Sequence, residues 1–402
     1  MALLPVSDAL ARVLKGVEPL PAERVALAEA EGRVLAVDLS ARRTQPPEDV
    51  SAMDGYAVCG AQVRHAPVGF RVVGEVAAGR PLGRRIQAGE AVRIFTGGVL
   101  PEGTDTVVIQ ENTTREGERV IVNKATSTGK NVRPVGLDFR AGDIRLKKGR
   151  RLTGRDVSLA AAMNHAALPV YCRPKVALVA TGDELVAPGV EPGPGQIVYS
   201  NVFSLASLAR RAGAEVIDLG VLPDRLEDTT AGLRRARDLG ANVLVTVGGA
   251  SVGDYDLVQP ALAAQGVTPS FWKIAMRPGK PMMFALLEGM PVLGLPGNPV
   301  SAYVCAVLFM APLIRKLTGR SDLDLPIEYG VLGRDLPAND EREEYMRATL
   351  GFRGGTWIAT PSANQDSSML VPLAAADCLV IREAFAPAAP AGSPCRFVKL
   401  DD

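Results

Sequence analysis

Histidine is almost missing from this chain. His65 and His165 are the only two in 402 residues, too few for a His-based zinc centre, so a bound metal is expected to be Mg²⁺ held by oxygen. Cysteine is scarce as well: Cys59, Cys172, Cys305, Cys378 and Cys395 form no C-x-x-C pair. An odd number cannot all pair within one chain, so reduced thiols and a cytoplasmic location are expected. The first residues lack the basic and long apolar regions of an export signal. The most apolar run, 299 to 313, contains Pro312 and is too short to span a bilayer. Neither sign of charge dominates, with 45 basic against 44 acidic residues, which argues against bulk attraction to nucleic acid or membrane. Two familiar phosphate loops are also missing from the glycine-rich segments. Residues 248–253 are not G-x-G-x-x-G, and Gly279-Lys280-Pro281 has Pro where a Walker A loop needs Ser or Thr.

What the chain does have is glycine and proline, 41 and 30, and a length that predicts several domains. Residues 1–43 read as helical, with Ser7 and Asp8 placed to cap a segment carrying Leu10, Val13 and Leu14 at helical spacing, and Ala22 to Ala30 continuing it. Short β-rich runs between Gly and Pro across 44–140 predict a small β domain. The stretch 153–167 predicts a helix stopped by Pro169, which returns to the N-terminal segment and makes 44–140 an insertion into a discontinuous domain of 1–43 and 141–173. From 174 to 325, strands alternate with helices, the pattern of a doubly wound, mostly parallel α/β sheet. Five short runs in 326–402 predict a β-barrel or sandwich.

The α/β unit holds the informative pattern. Val243 to Val247 is apolar or β-branched without alternation, as in a strand covered on both faces. The chain then breaks into Gly248, Gly249, Ser251 and Gly253, followed by Asp254 and Asp256. Similar polar loops end four other predicted strands: Thr181-Gly-Asp-Glu184, Asp224, Arg277-Pro-Gly-Lys280, and Pro296, Gly297, Asn298. In a parallel sheet such ends share one edge, where ligands bind. Glu184, Asp224, Asp254 and Asp256 offer hard oxygens for Mg²⁺. Lys273, Arg277 and Lys280, beside backbone glycine, suit an oxyanion.

Six ordered motifs add a resemblance. Ser51-Ala-Met-Asp-Gly-Tyr-Ala-Val58, Thr96-Gly-Gly98, Thr181-Gly-Asp-Glu184, Gly248-Gly-Ala-Ser-Val-Gly253, Arg277-Pro-Gly-Lys-Pro281 and Leu295-Pro-Gly-Asn-Pro-Val-Ser301 span most of the chain. Together the set resembles the molybdopterin molybdenumtransferase family, MoeA and the gephyrin E domain. The resemblance implies a four-domain homodimer with a site shared between the α/β domain of one subunit and the inserted β domain of the other. It implies Mg²⁺-dependent insertion of molybdate into adenylylated molybdopterin, with release of AMP, and a molybdopterin adenylyltransferase as transient partner. Carried over by motif, Asp54, Thr96, Glu184, Asp224 and Asp256 are catalytic, the last three also metal ligands. Lys273, Arg277, Lys280, Arg133 and Ser367 or Ser368 contact molybdate or phosphate. The sequence departs from the family at Arg277, where many members have Lys, and at Leu137, where Glu is usual. The competing readings are a non-catalytic molybdopterin-binding or scaffold protein, and another nucleotide-processing α/β enzyme.

Overall fold

The computed structural model describes residues 3–249 and 257–400. Its centre is a five-stranded sheet in the order Glu215–Leu222, Lys175–Thr181, Val243–Val247, Met290–Leu295, Met283–Leu287. The first four strands run parallel, and the last is antiparallel to its neighbour. Val243–Val247 is buried at every position because helices cover both faces. Each fully buried valine there contributes roughly 2 kcal/mol. The helices Asn201–Ala212 and Leu226–Asp238 supply crossovers, Gly213 closing the first in the left-handed region at φ 107°.

The apolar run after Pro299 is a helix through Leu317, mostly buried in this core. It continues past Pro312, which the sequence reading takes as an interruption. The turn 306–310 has π-helical bonding, which accommodates the N–H that proline lacks.

The N-terminal expectation needs correction. Among the described residues there, only Val6–Leu14 is α-helical, with Pro5 at its N-cap, so Ser7 and Asp8 lie inside the helix and do not cap it. This helix packs Val6, Ala9 and Val13 into the α/β core. Ala22–Ala26 is a strand paired with Ala167–Tyr171, and a 3₁₀ turn follows at Leu27–Glu29. Tertiary pairing overrides the helix propensity of its alanines. Pro169 therefore sits in a strand, and the helix before it ends earlier, at Ala162. The core around Leu35, Phe139, Leu152 and Leu168 draws on chain from both sides of the insertion.

Helix Gly154–Ala162 opens with a reciprocal capping box between Thr153 and Asp156. Burial works to raise the Asp156 carboxyl, but Arg150 at 2.9 Å and the Thr153 donors outweigh it and hold the pKa below the usual range. Asp156→Ala should lower stability by about 1 kcal/mol, as for other lost caps. A depressed carboxylate stabilises above its unfolded pKa and loses that effect as pH falls through the folded one. The gap between wild type and variant in thermal melts should therefore be present at pH 7 and shrink below about pH 4.

The inserted domain is a six-stranded sheet running from Thr106–Ile109 through Gly55–Val58, Glu90–Ile94, Val68–Val76 and Arg119–Val122 to Thr113–Glu116. In the C-terminal region five strands close on themselves, Glu343–Arg353 pairing with both Thr356–Pro361 and Cys378–Arg382. The sequence reading puts Phe271 to Met276 in the α/β sheet. The observed strand is Met276–Arg277, and it pairs with Glu343 and Glu344 of the barrel. The antiparallel Met283–Leu287 strand, absent from the sequence reading, takes that edge of the α/β sheet.

Candidate active site

Four parallel strands end together at Thr181, Leu222, Val247 and Leu295. Beyond that edge lies a cavity of about 560 Å³, lined among others by Thr181, Glu184, Gly248, Asn298 and Ser368. Gly248 is required as glycine: φ is 90°, and a Cβ would meet the Thr181 carbonyl oxygen at 2.8 Å. Pro296 and Gly297 complete the floor. The Asn201 amide donates to the Gly297 carbonyl at 2.7 Å, fixing that turn. Gly249 has φ 61°. Ser251, Gly253, Asp254 and Asp256 lie outside the described residues.

The acids gather beside this floor. The backbone N–H of Asp224 donates to Asp183 Oδ1 at 3.1 Å, and that of Asp183 donates to Asp224 Oδ2 at 3.4 Å. Burial raises the Asp224 pKa, opposed by the Asp183 N–H and reinforced by the charges of Glu184 and Asp183. Glu184 is exposed at the cavity, and its carboxylate makes no hydrogen bond or ion pair among the described residues. No three acidic, His or Cys side chains among the described residues stand together as a metal site. The chemistry of Glu184 and Asp224 still suits a hard dication, which would relieve their mutual repulsion.

Ser367 and Ser368 arrive from the C-terminal domain. Asn298 Nδ2 donates to Ser367 Oγ at 3.0 Å, and the Val300 N–H donates to the Ser367 carbonyl at 3.1 Å. Ser368 is oriented by Asp366, which accepts from its N–H and its hydroxyl. Arg347 holds this loop from inside the barrel. It is fully buried and donates to Gln365 Oε1 and to the carbonyls of Asn364 and Met369. Sequence reasoning missed Arg347, because nothing local distinguishes a buried arginine from a solvated one.

The remaining site candidates stand elsewhere. In the inserted domain, Thr96 donates its N–H and its hydroxyl to Asp54 Oδ1, each at 2.8 Å. Those bonds, the backbone one foremost, hold the Asp54 carboxyl below its ordinary range. Arg133 is exposed in a two-residue strand paired with Val50–Ser51. None of these three lines the cavity. Lys273 and Lys280 are exposed, and Arg277 is engaged by Glu344, Asp340 and Asn339. None of the three cations lines the cavity, although Pro281 does.

Three family profiles match this arrangement along the chain. Residues 4–164 match the MoeA N-terminal region (domain I and II), 177–316 a probable molybdopterin binding domain, and 329–400 the MoeA C-terminal region (domain IV). A molybdopterin molybdenumtransferase of Nostoc sp. is 37% identical over 89% of this chain and 84% of its own length. The chain belongs to the molybdopterin molybdenumtransferase family. A family member from Haemophilus influenzae is 36% identical, with 91% of this chain and 90% of that one covered. Among solved structures, the molybdopterin biosynthesis MoeA protein of Pyrococcus horikoshii superposes with a TM-score of 0.86 at 27% identity, covering 99% of this chain and 100% of that one. The multidomain architecture is thus that of the family, including the α/β domain and the closed C-terminal barrel.

Thr181 is a further candidate that the motif reading quoted without assigning it a role. It is 7% exposed, and its hydroxyl has no partner among the described residues. A buried unpaired hydroxyl at a cavity wall is costly unless a ligand satisfies it. Thr181→Val should leave the melting temperature unchanged or higher, while weakening binding of the molybdopterin substrate about tenfold in titration calorimetry.

Proposed function

We propose that this chain is a molybdopterin molybdenumtransferase, inserting molybdate into adenylylated molybdopterin with Mg²⁺-dependent release of AMP. The single observation that carries the reading is the cavity at the carboxyl edge of the α/β sheet, where Glu184, Thr181, Asn298 and Ser368 converge. Its size suits a cofactor-sized organic ligand. Its floor of Gly248, Pro296 and Gly297 allows close approach of backbone to a phosphate.

Glu184 and Asp224, together with Asp256, would hold Mg²⁺, which supplies charge neutralisation for phosphoanhydride cleavage. Lys273, Arg277 and Lys280 carry the positive charge to draw a tetrahedral dianion toward that edge. Thr181 and Asn298 orient the ligand from the floor, and the Arg347-braced loop brings Ser368 over it. Asp54, held ionised by Thr96, completes the site from the inserted domain of a second subunit, since it lies outside the cavity of its own α/β domain. A homodimer in the cytoplasm, supplied by a molybdopterin adenylyltransferase, is the corresponding cellular setting.

The test is release of AMP from adenylylated molybdopterin by the pure protein, with and without molybdate and Mg²⁺. Release should require both. Release that ignores molybdate would favour another nucleotide-processing enzyme, and no release would favour a binding or scaffold protein.

A further inference from the structure

Arg277 differs from the two lysines flanking it. Among the described residues Lys273 and Lys280 make no ion pair, and the Lys273 ammonium sits 5.6 Å from the centre of the Trp272 ring. Arg277 is already matched. Its Nε donates to Glu344 Oε1 at 3.0 Å, and Nη2 meets Glu344 Oε2 at 2.9 Å, a two-pronged pair across the domain boundary. Nη1 reaches Asp340 Oδ2 at 3.4 Å, and Nη2 also reaches Asn339 Oδ1 at 3.3 Å. Asn339 is aimed by its own amide, which donates to the carbonyls of Arg342 and Glu383 at 2.8 Å each.

The same contact joins the backbones. Met276 and Arg277 pair with Glu343 and Glu344 as parallel strands, and the Glu343 N–H donates to the Ala275 carbonyl at 2.9 Å. The Glu344 side chain is 11% exposed, whereas that of Arg277 is 42% exposed. The Arg277 side chain is therefore partly open to solvent while its donors are held by the barrel.

We infer that Glu344, helped by Asp340, competes with a tetrahedral oxyanion for Arg277, so that seating of the barrel against the α/β domain and capture of the oxyanion are linked. This rests on the reading that the segment from Lys273 to Lys280 takes such an anion. An oxyanion that takes the guanidinium fork leaves Glu344 as a buried carboxylate without its partner, which is unfavourable unless the barrel segment loosens toward water. Linkage makes the effect reciprocal: whatever loosens the barrel contact tightens the anion, by the same factor. Glu344 is thus a specificity-determining residue, admitting to Arg277 only an anion that outbids a carboxylate.

The experiment is calorimetric titration of the full chain with molybdate, and separately with tungstate, using wild type, Glu344→Gln, Arg277→Ala and the double variant. Glu344→Gln should bind about tenfold more tightly, as expected for removing a charged competitor. Arg277→Ala should bind more weakly, and the double variant should match Arg277→Ala. Equal or weaker binding by a Glu344→Gln protein whose circular dichroism matches wild type would overturn the inference. If that variant does not fold, hydrogen exchange on the wild type decides. Saturating molybdate should speed exchange at the amides of Glu343 and Glu344, and unchanged or slower exchange would overturn the competition. Absence of anion binding by the wild type would overturn it too. Anion binding without molybdate-dependent AMP release would instead count against the transferase reading and leave the competition standing.

Discussion

Glu184→Gln should reduce molybdate-dependent AMP release by a factor of roughly 100 to 1,000, the range seen when one preorganised electrostatic group is removed from a site. Its fold should survive. The side chain is exposed on the cavity wall, outside every hydrophobic core cluster, and Gln keeps the shape while removing the charge. The change also removes one of the charges that raise the Asp224 pKa. Asp224 should then ionise more readily, so the loss in rate reflects the missing Glu184 carboxylate and not a protonated neighbour. Steady-state assays across a Mg²⁺ titration, beside a thermal melt, check this. Wild-type turnover with an unchanged melt would remove Glu184 from the catalytic set, while a collapsed melt would make its role structural.

Mixing two inactive proteins should restore activity. Asp54 stands with Thr96 in the inserted domain and does not line the cavity that contains Glu184. If each site combines Asp54 from one subunit with Glu184 from the other, an Asp54→Ala/Glu184→Gln heterodimer contains one site with both residues intact. Random exchange between two subunit types in a dimer then leaves about a quarter of all sites whole, and about a quarter of the wild-type rate. Both single-variant homodimers should remain near background. Exchange confirmed by differential tagging, with no recovery, would place the whole site within one chain.

The α/β unit was legible because its signals are local and repeated. A continuous β-branched run such as Val243 to Val247 has few alternatives to a covered strand. Helix Asn201–Ala212 carries its apolar spacing and its Gly213 stop in the sequence itself. The N-terminal segment was not legible in that way. Ala22 to Ala26 has the composition of a helix, and it becomes a strand because Ala167–Tyr171, more than 140 residues away, offers a partner. No window of sequence contains that partner. The strand at Met276–Arg277 misled for the same reason, being paired with a barrel strand that starts at Glu343.

The candidate site divides along the same line. Residue types and their order in the chain established by themselves that polar, glycine-rich loops carrying acids end the α/β strands, and which family shares those motifs. Glycine's tolerance of positive φ and the fixed charges of Asp, Glu, Lys and Arg are properties of the residues, independent of neighbours. Tertiary structure alone decided which of those charges remain free to act. It turned Glu184 to the cavity and gave Arg277 to Glu344. It also buried Thr181 with a hydroxyl that no described residue satisfies, and braced the Ser368 loop with Arg347 from another strand. The physical reason is that availability depends on burial and on partners, and both come from chain far away in sequence.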